Sequence, residues 1–393
     1  MHPMIKPALR RAWRDRHTVR YGVTPAHAVL LGPLDTATGG FLELFDGTRS
    51  LPQLRRAAEG MGLAADTADR LVARLTAAGL LDDATAHRRA AARVDDRLRP
   101  DLGSLSVLRP EPGGAVRRLA ARAEARVQVR GAGRVGAAVA ALLSAAGVGR
   151  VEVVDGGCVA PWDTAPGGVA ADQCGQRRTS AADRAVRRAA PGSRRAGPDP
   201  AAPDPGTALV VIAPRDGLAA YAPDQAAAEE LVGAGRPHLY AGVVEGTGFV
   251  GPLVLPGATA CAGCLMLGYA DREPAWPLLV AQWRSARRSG VPACDVALAA
   301  VVAGATAGCA LDFLDGDESW ATDSRHLWTL PRLRSGAEPV PPHPECPCGA
   351  VSVSAPVPAP VSAAASASAS ATDSVPGGRP LSAEEARRST MAT

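Results

Sequence analysis

The sequence predicts an α/β protein with a parallel-rich sheet, preceded by a small α+β unit and followed by a disordered tail. Three observations predict it. Val127–Arg130 reads as a strand, and a glycine-rich turn, a helix to Ala146 and a second strand at Val151–Asp155 follow. That β-α-β order implies parallel pairing. Before it, about 90 residues carry short β-like runs and then helical patterns. From Val351 onward the composition collapses to Ala, Ser and Pro. Such a segment buries too little apolar surface to offset its ordering entropy. The expected boundaries are 1–90 for the small unit, 91–125 for a connection, 126–350 for the α/β domain and 351–393 for the tail.

In order along the chain, Val19–Val23 and Ala28–Leu31 are the β-like runs, joined by Thr24-Pro25-Ala26-His27. Helices are expected at Thr36–Phe45, Leu51–Met61 and Asp66–Ala78, the last with Leu71, Val72 and Leu75 on one face. Two strands and three helices suit a winged helix. The Arg-rich residues 90–125 offer short strand candidates. Further on, Leu209–Ile212 is a buried strand, Asp224–Gly233 a helix and His238–Val244 a strand. Arg195–Gly206 is a Pro/Gly loop. A long crossover then leads to an Ala/Gly-rich helix, Ala293–Leu314.

Composition narrows the function. A length of 393 residues is a prior for two or three domains. A net charge of only +4 argues against a protein that coats nucleic acid with a basic stripe. Met1–Arg20 lacks the apolar core of a signal peptide. Val296–Leu311 is apolar but short for a membrane span, and is bounded by Asp295 and Asp312. A cytoplasmic protein is therefore expected, with no membrane partner and with reduced thiols. The chain has eight cysteines and a single lysine, Lys6.

Gly131-Ala-Gly133-Arg-Val-Gly136 follows a strand and opens a helix, and Asp155 ends the next strand. This is a nucleotide-binding context. Gly131 permits the tight turn, Gly133 lets a phosphate approach the backbone, and Gly136 lets the helix pack on the strand. The helix N-terminus favours an anion, and Asp155 can accept from ribose hydroxyls. The alternative is a sheet whose glycines serve packing alone. Downstream, Arg177, Arg178, Arg184, Arg187, Arg188, Arg194 and Arg195 crowd a short stretch. They read as phosphate or acidic-peptide contacts, or as a solvated helix face.

Cys261-Ala-Gly-Cys264 and Cys346-Pro-Cys348 are two close pairs about 80 residues apart. Four such sulfurs can close a tetrahedral Zn²⁺ site with no open position for water. The alternative is four buried thiols. His343 is near and surplus. Cys158, Cys174, Cys294 and Cys309 have no partner spacing. Cys309 reads as core; Cys294 begins the long helix, where the dipole would favour a nucleophilic thiolate, but a small core residue is the default reading.

The order strand, GAGRVG, helix, VEVVD, GQRR, strand, CAGC, a long helix ending in FLDG, and CPC resembles the ubiquitin-activating enzymes and the bacterial ThiF and MoeB adenylyltransferases. The resemblance covers about residues 126–350. It implies a Rossmann-like fold in which Mg²⁺-bound ATP is attacked at its α-phosphate by a peptide or protein carboxylate. By this resemblance Gly131, Gly133, Gly136 and Asp155 would hold ATP, and Cys261, Cys264, Cys346 and Cys348 the zinc. The sequence departs from the family in three places. Val159–Val169 lacks the family's arginine, and Arg178 stands where the family has a phosphate-binding lysine. Arginine's planar fork is not equivalent to that point charge. The metal-binding aspartate is displaced, and only Asp216 follows Leu209–Arg215. If the chain adenylates, Arg178 and Asp216 would be the catalytic residues.

The N-terminal punctuation LLGPLD, FDGTR and AGLLD resembles PqqD-like winged-helix domains. The resemblance implies binding of leader peptides of ribosomally made natural products, by strand addition beside a helix. The two halves together resemble the ThiF-like partner protein of azoline-forming cyclodehydratases. The expected function is therefore leader binding and delivery of the precursor to a YcaO-type enzyme, as a homodimer, with degenerate ATP chemistry. An active adenylyltransferase is the alternative. A nicotinamide-dependent oxidoreductase, suggested by GxGxxG and Asp155 alone, is disfavoured by the cysteine quartet.

Overall fold

The computed structural model describes residues 1–91, 94–191, 206–286 and 291–350. The expected disordered tail, Arg194 and most of the Arg195–Gly206 loop lie outside them. The described residues form one compact unit.

The chain begins with β1 (Pro3–Ile5), β2 (Arg11–Asp15), β3 (Thr18–Tyr21) and β4 (Val29–Leu31). Strands β2, β3 and β4 make an antiparallel sheet in that order. Next come α1 (Thr36–Phe41), α2 (Leu51–Gly60), α3 (Thr67–Ala77) and β5 (Leu81–Asp83), and β5 pairs back to β1. Asp35 caps α1 by accepting from the Thr38 N–H at 2.6 Å. The expected helix to Phe45 tightens into a 3₁₀ turn at Leu42–Leu44, after the poor helix formers Gly39 and Gly40. Val19, Tyr21, Phe41, Leu54, Leu75 and Leu80 form the core of this unit. Five strands stand where two were expected. Every residue of β2 is exposed, so its sequence carries no burial pattern.

The connection holds α4 (Ala84–Ala91), α5 (Arg99–Leu108) and α6 (Gly114–Glu124). The strand candidates expected in 90–125 are thus corrected to helices. Pro100 in the first turn of α5 suits a helix start. Leu102 and Leu105, then Ala115 and Leu119, fall at helical spacing and form a small core of their own. The sole lysine, Lys6, is 1% exposed and donates to the Arg109 carbonyl. Burial holds its pKa below the usual lysine range.

Beside it, buried Asp82 lies 2.6 Å from His87 Nε2 and accepts from the Gly113 N–H at 2.7 Å. Burial pushes this carboxyl up, but its hydrogen bonds from His87, Gly113 and Asp83 hold it below the ordinary range. A folded pKa below the unfolded one gives stability that is present above about pH 3.9 and lost as pH falls through the folded value. Asp82→Asn is expected to lower stability at neutral pH and to flatten the acid limb of a denaturation-versus-pH curve.

The main sheet opens with β6 (Arg126–Arg130), α7 (Arg134–Ala145), β7 (Arg150–Val154), α8 (Arg178–Ala189) and β8 (Leu209–Ile212). It continues with α9 (Leu218–Tyr221), α10 (Gln225–Gly233), β9 (His238–Val244) and β10 (Thr247–Val254). Helices α11 (Ala262–Arg272), α12 (Trp276–Ser285) and α13 (Val296–Leu314) precede β11 (Ser324–Thr329) and β12 (Arg334–Pro339). The strand order is β12-β11-β10-β9-β8-β6-β7. Strands β7, β6, β8 and β9 run parallel, while β9 to β12 are antiparallel. The sheet is therefore mixed, and the supposed crossover starts as a hairpin. Glu245 and Gly246 both have positive φ, 48° and 80°, which makes the two-residue turn that a hairpin requires.

Alternate valines fill the sheet interior: Val127, Val129, Val151 and Val153 are all buried. Burying each stabilises the fold by about 1.5–3 kcal/mol. Chain β6 runs through α7 to β7 on one side, and the return through α8 reaches β8 on the other. The C-terminal ends of β6 and β8 are thus a topological switch point, where α/β proteins place ligands.

Among the described residues, α13 is the one helix long and apolar enough to cross a membrane. It packs on α7, β9 and β10 through Leu298, Val302 and Ala303. Asp295 caps it, accepting from the Ala297 and Leu298 N–H groups at 2.9 and 3.0 Å. Cys294 therefore lies before the helix rather than at its start, and burial pushes its thiol pKa up. Cys294 packs partly buried against the main core, as its default reading has it, rather than as the alternative dipole-stabilised thiolate.

Candidate functional site

The glycine loop sits at the switch point. Gly131 adopts φ +123°, and a Cβ there would lie 2.0 Å from the Ala213 carbonyl oxygen. A Cβ on Gly136 would lie 2.2 Å from the Gly131 carbonyl oxygen, so the start of α7 presses on the loop. Gly133 also keeps its place open to a neighbouring loop. The space beside it faces Arg215, whose Cα would stand 3.1 Å from an added Cβ.

Asp155 and Arg178, predicted as separate ligands, are brought together. Arg178 Nε donates to Asp155 Oδ1 at 3.1 Å, and the Ala132 N–H donates to Oδ2 at 2.6 Å. Arg178 Nη1 donates to the Cys158 carbonyl at 2.8 Å. A second pair, unforeseen in sequence, adjoins the first. Asp163, its side chain 2% exposed, accepts from Arg215 Nε and from the Ala160 N–H at 2.9 Å. Arg178 Nη1 stands 4.0 Å from the same carboxylate. Two arginines and two aspartates thus interlock around the loop. A charged residue in the loop that follows a buried strand at a switch point, as Arg215 is three residues past β8, was the available signal. Asp216 accepts from the Leu218 N–H at 3.1 Å.

Each Asp155 oxygen accepts from a protein donor here, and the carboxylate keeps acceptor capacity for a further donor. Arg178 is bound to carboxylate and carbonyl, and the single lysine is buried in the N-terminal unit. Of the arginine run on α8, Arg188 donates to the Gly168 carbonyl at 2.8 Å, and Arg187 is exposed.

Next to the loop, a cavity of about 580 Å³ opens at the C-terminal ends of β8 and β9, walled by Arg215, Tyr221, Glu245, Trp276 and Trp283. A second cavity of about 510 Å³ lies in the N-terminal unit, between the loop that leads from β4 into α1 and α3, walled by Leu34, Leu63, Ala64, Arg70, Leu71 and Arg74.

The four predicted cysteines converge. Their sulfurs all lie within 4.8 Å of one another, with Cys261–Cys346 at 3.5 Å, Cys264–Cys348 at 3.6 Å and Cys261–Cys264 at 4.0 Å. A tetrahedron with metal–sulfur bonds of about 2.3 Å has edges of about 3.8 Å, so the donor set fits Zn²⁺. A Cβ on Gly263 would lie 2.9 Å from Cys346 Sγ, so glycine is needed in this knuckle. The thiol of Cys261 favours the Cys264 thiolate, while that contact and burial push Cys261 up. The His343 ring turns away, with Nε2 2.9 Å from Asp271, while its backbone hydrogen-bonds to Cys264 and its carbonyl accepts from the Cys346 N–H at 3.0 Å.

Comparison with known proteins agrees with this architecture. The ThiF family model matches residues 115–348, and the chain belongs to that family. A crystal structure of Escherichia coli MccB bearing a succinimide superposes with a TM-score of 0.68 at 14% identity, over 89% of this chain and 99% of MccB. MccB, described as the microcin C7 biosynthetic enzyme, has also been solved with N-formylated MccA, at a TM-score of 0.66 and 15% identity. That match covers 89% of this chain and all of MccB. The heterocyclase TruD matches at 0.56 and 16% identity, over 89% of this chain and 43% of TruD. No curated protein sequence matches the chain.

Proposed function

We propose that this chain binds the leader of a ribosomally made precursor peptide and presents the precursor to a separate YcaO-type cyclodehydratase. The observation that carries the reading is the edge of β4. That strand pairs only with β3 among the described residues, and the 510 Å³ groove runs between the loop after it and α3. A peptide strand added there would satisfy the open backbone groups of β4 and seat alternate side chains against Leu34, Leu63 and Leu71. Arg70, an exposed partner of Asp66, and Arg74, which donates to the Gly32 carbonyl, add positive charge along the groove that suits acidic residues in that peptide. The likeness to MccB solved with MccA, and to a heterocyclase, supports a peptide-modification setting. The proposed N-terminal recognition unit is residues 1–90, joined by 91–125 to the ThiF-like domain. In that domain we assign Cys261, Cys264, Cys346 and Cys348 to a structural zinc, which staples the chain's end to its middle.

Fluorescence anisotropy with labelled leaders of precursor peptides encoded beside the gene tests the reading. Saturable binding by the full chain is expected. Ala64→Trp, which fills an exposed wall of the groove, is expected to weaken it at least about tenfold with little change in Tm. No binding to any of those leaders, or equal binding after the substitution, would overturn it. The second reading is an active adenylyltransferase using Arg178 and Asp216 with Mg²⁺. It is favoured by the shared fold with MccB solved with ATP. Robust ATP–pyrophosphate exchange by the chain alone would select it.

A further inference from the structure

Strand β2 is an open edge. It pairs only with β3 among the described residues, on the side of the three-stranded sheet opposite β4. The Gly22 N–H donates to the Arg10 carbonyl at 2.8 Å, and Arg11, Ala12 and Trp13 stand opposite Tyr21, Arg20 and Val19. Bonded and unbonded pairs alternate in an antiparallel ladder. Arg10 and Ala12 therefore bond to β3, and the backbone N–H and C=O groups of Arg11 and Trp13 face outward. An irregularity between Trp13 and Asp15 ends the regular edge there. Trp13 is 46% exposed, and its place is built by a neighbour. A Cβ on Gly39 of α1 would lie 2.9 Å from the Trp13 ring, so the missing side chain lets the ring rest on the helix with nearly half its surface open.

The charge on this edge is basic. Residues 10–20 are all described and carry five arginines, Arg10, Arg11, Arg14, Arg16 and Arg20, against one carboxylate, Asp15. Arg11 pairs with Glu43, and Arg20 donates to the Gly22 and Val23 carbonyls. Arg10, Arg14 and Arg16 are exposed and enter no salt bridge among the described residues. The Asp15 carboxylate is turned to the hairpin, where it accepts from the His17 N–H at 2.8 Å. A row of like charges repels a second copy of the same strand. It attracts a strand that sets carboxylates opposite the arginines.

We propose that the β2 edge is a docking site for an extended acidic segment of a partner protein, which joins the sheet as a further strand. Its backbone would pair with the outward groups of Arg11 and Trp13. Its carboxylates would meet Arg10, Arg14 and Arg16, and an apolar side chain between them would lie on the Trp13 ring. The leader is assigned to the opposite edge, so both segments can be held at once on one three-stranded sheet, and neither site depends on the other.

The test uses the full-length, ¹⁵N-indole-labelled protein, with the Trp13 signal assigned from Trp13→Phe. The probes are the synthetic peptide acetyl-Thr-Glu-Val-Glu-Ile-Glu-Thr-amide, its counterpart with lysine for glutamate, the acidic peptide with its central amides N-methylated, and oligothymidylate. The acidic peptide should move the Trp13 signal saturably, and the other three should not. Arg14→Glu/Arg16→Glu should weaken the response about tenfold with Tm unchanged, because both side chains are exposed. An unmoved Trp13 signal, an equal shift with the lysine peptide or an unchanged response in the double variant overturns the proposal. So does an equal shift with the N-methylated peptide, which would be charge attraction without strand pairing, or with oligothymidylate, which would be a nucleic-acid surface. A Trp13 signal that moves with protein concentration alone would assign the edge to a second copy, and overturns it too. The outcome is separable from that of the leader reading. Ala64→Trp fills the groove beside α3, and neither Arg14 nor Arg16 lines that groove.

Discussion

Removing the metal proposed to bridge the four cysteines is expected to lower Tm by at least about 10 °C. Each pair tethers a different part of the domain. Cys261 and Cys264 flank the start of α11, and Cys346 and Cys348 lie beyond β12. With metal bound, the segment after β12 is fastened against α11. Without it, four thiols crowd within 4.8 Å, and only weak sulfur hydrogen bonds connect them. Structural zinc contributes about 10–16 kcal/mol in small zinc-finger peptides. In a larger core the dependence is smaller, because much of this domain is held by the valine-rich sheet instead. The measurement is elemental analysis for one zinc per chain, then thermal unfolding before and after a strong chelator. Cys261→Ser should lose both the metal and the added stability. A Cys261→Ser protein with full metal content and unchanged Tm would sink the assignment.

Arg122→Ala is expected to destabilise the chain by about 3–5 kcal/mol. Arg122 Nε and Nη2 donate to the two oxygens of Asp315 at 2.8 and 2.7 Å, with the side chains 6% and 1% exposed. The pair joins α6 to the C-terminal end of α13. Arg118 also donates to the Asp315 carbonyl, and Arg109 pairs with Asp317. Arg109 in turn accepts from Lys6 through its carbonyl, so one polar chain runs from β1 to the turn after α13. Removing Arg122 leaves the Asp315 carboxylate buried without its counter-charge, which costs more than the pair itself contributes. Urea denaturation should show a lower midpoint. The double variant Arg122→Met/Asp315→Leu should recover most of the loss, since it removes both charges. If Arg122→Ala unfolds at the wild-type midpoint, the pair has no structural weight.

Much of the fold was legible before any coordinates. The glycine loop, Leu209–Ile212 and His238–Val244 are strong local signals, because turn chemistry and buried apolar runs act over a few residues. Local periodicity failed where burial was absent or divided. Strand β2 is exposed throughout. Helices α5 and α6 bury only a few residues each and hide among arginines. The antiparallel half of the sheet hung on Glu245-Gly246, a turn pair less telling than Asn-Gly.

The candidate sites divide in the same way. Two close cysteine pairs announce their chemistry because ligand spacing is a property of the chain, and the four sulfurs do meet. The glycine loop likewise announces a tight strand–helix turn. Whether its charges face a ligand or one another depends on side chains from distant segments. Asp155, Arg178, Asp163 and Arg215 leave different loops and meet only when β6 and β8 lie side by side. Ion pairing is a matter of a few ångströms in space and has no fixed separation along the chain. The spacing of residues therefore established the family resemblance and the cysteine cluster, and the packing of the sheet established that Asp155 pairs with Arg178 and Asp163 with Arg215.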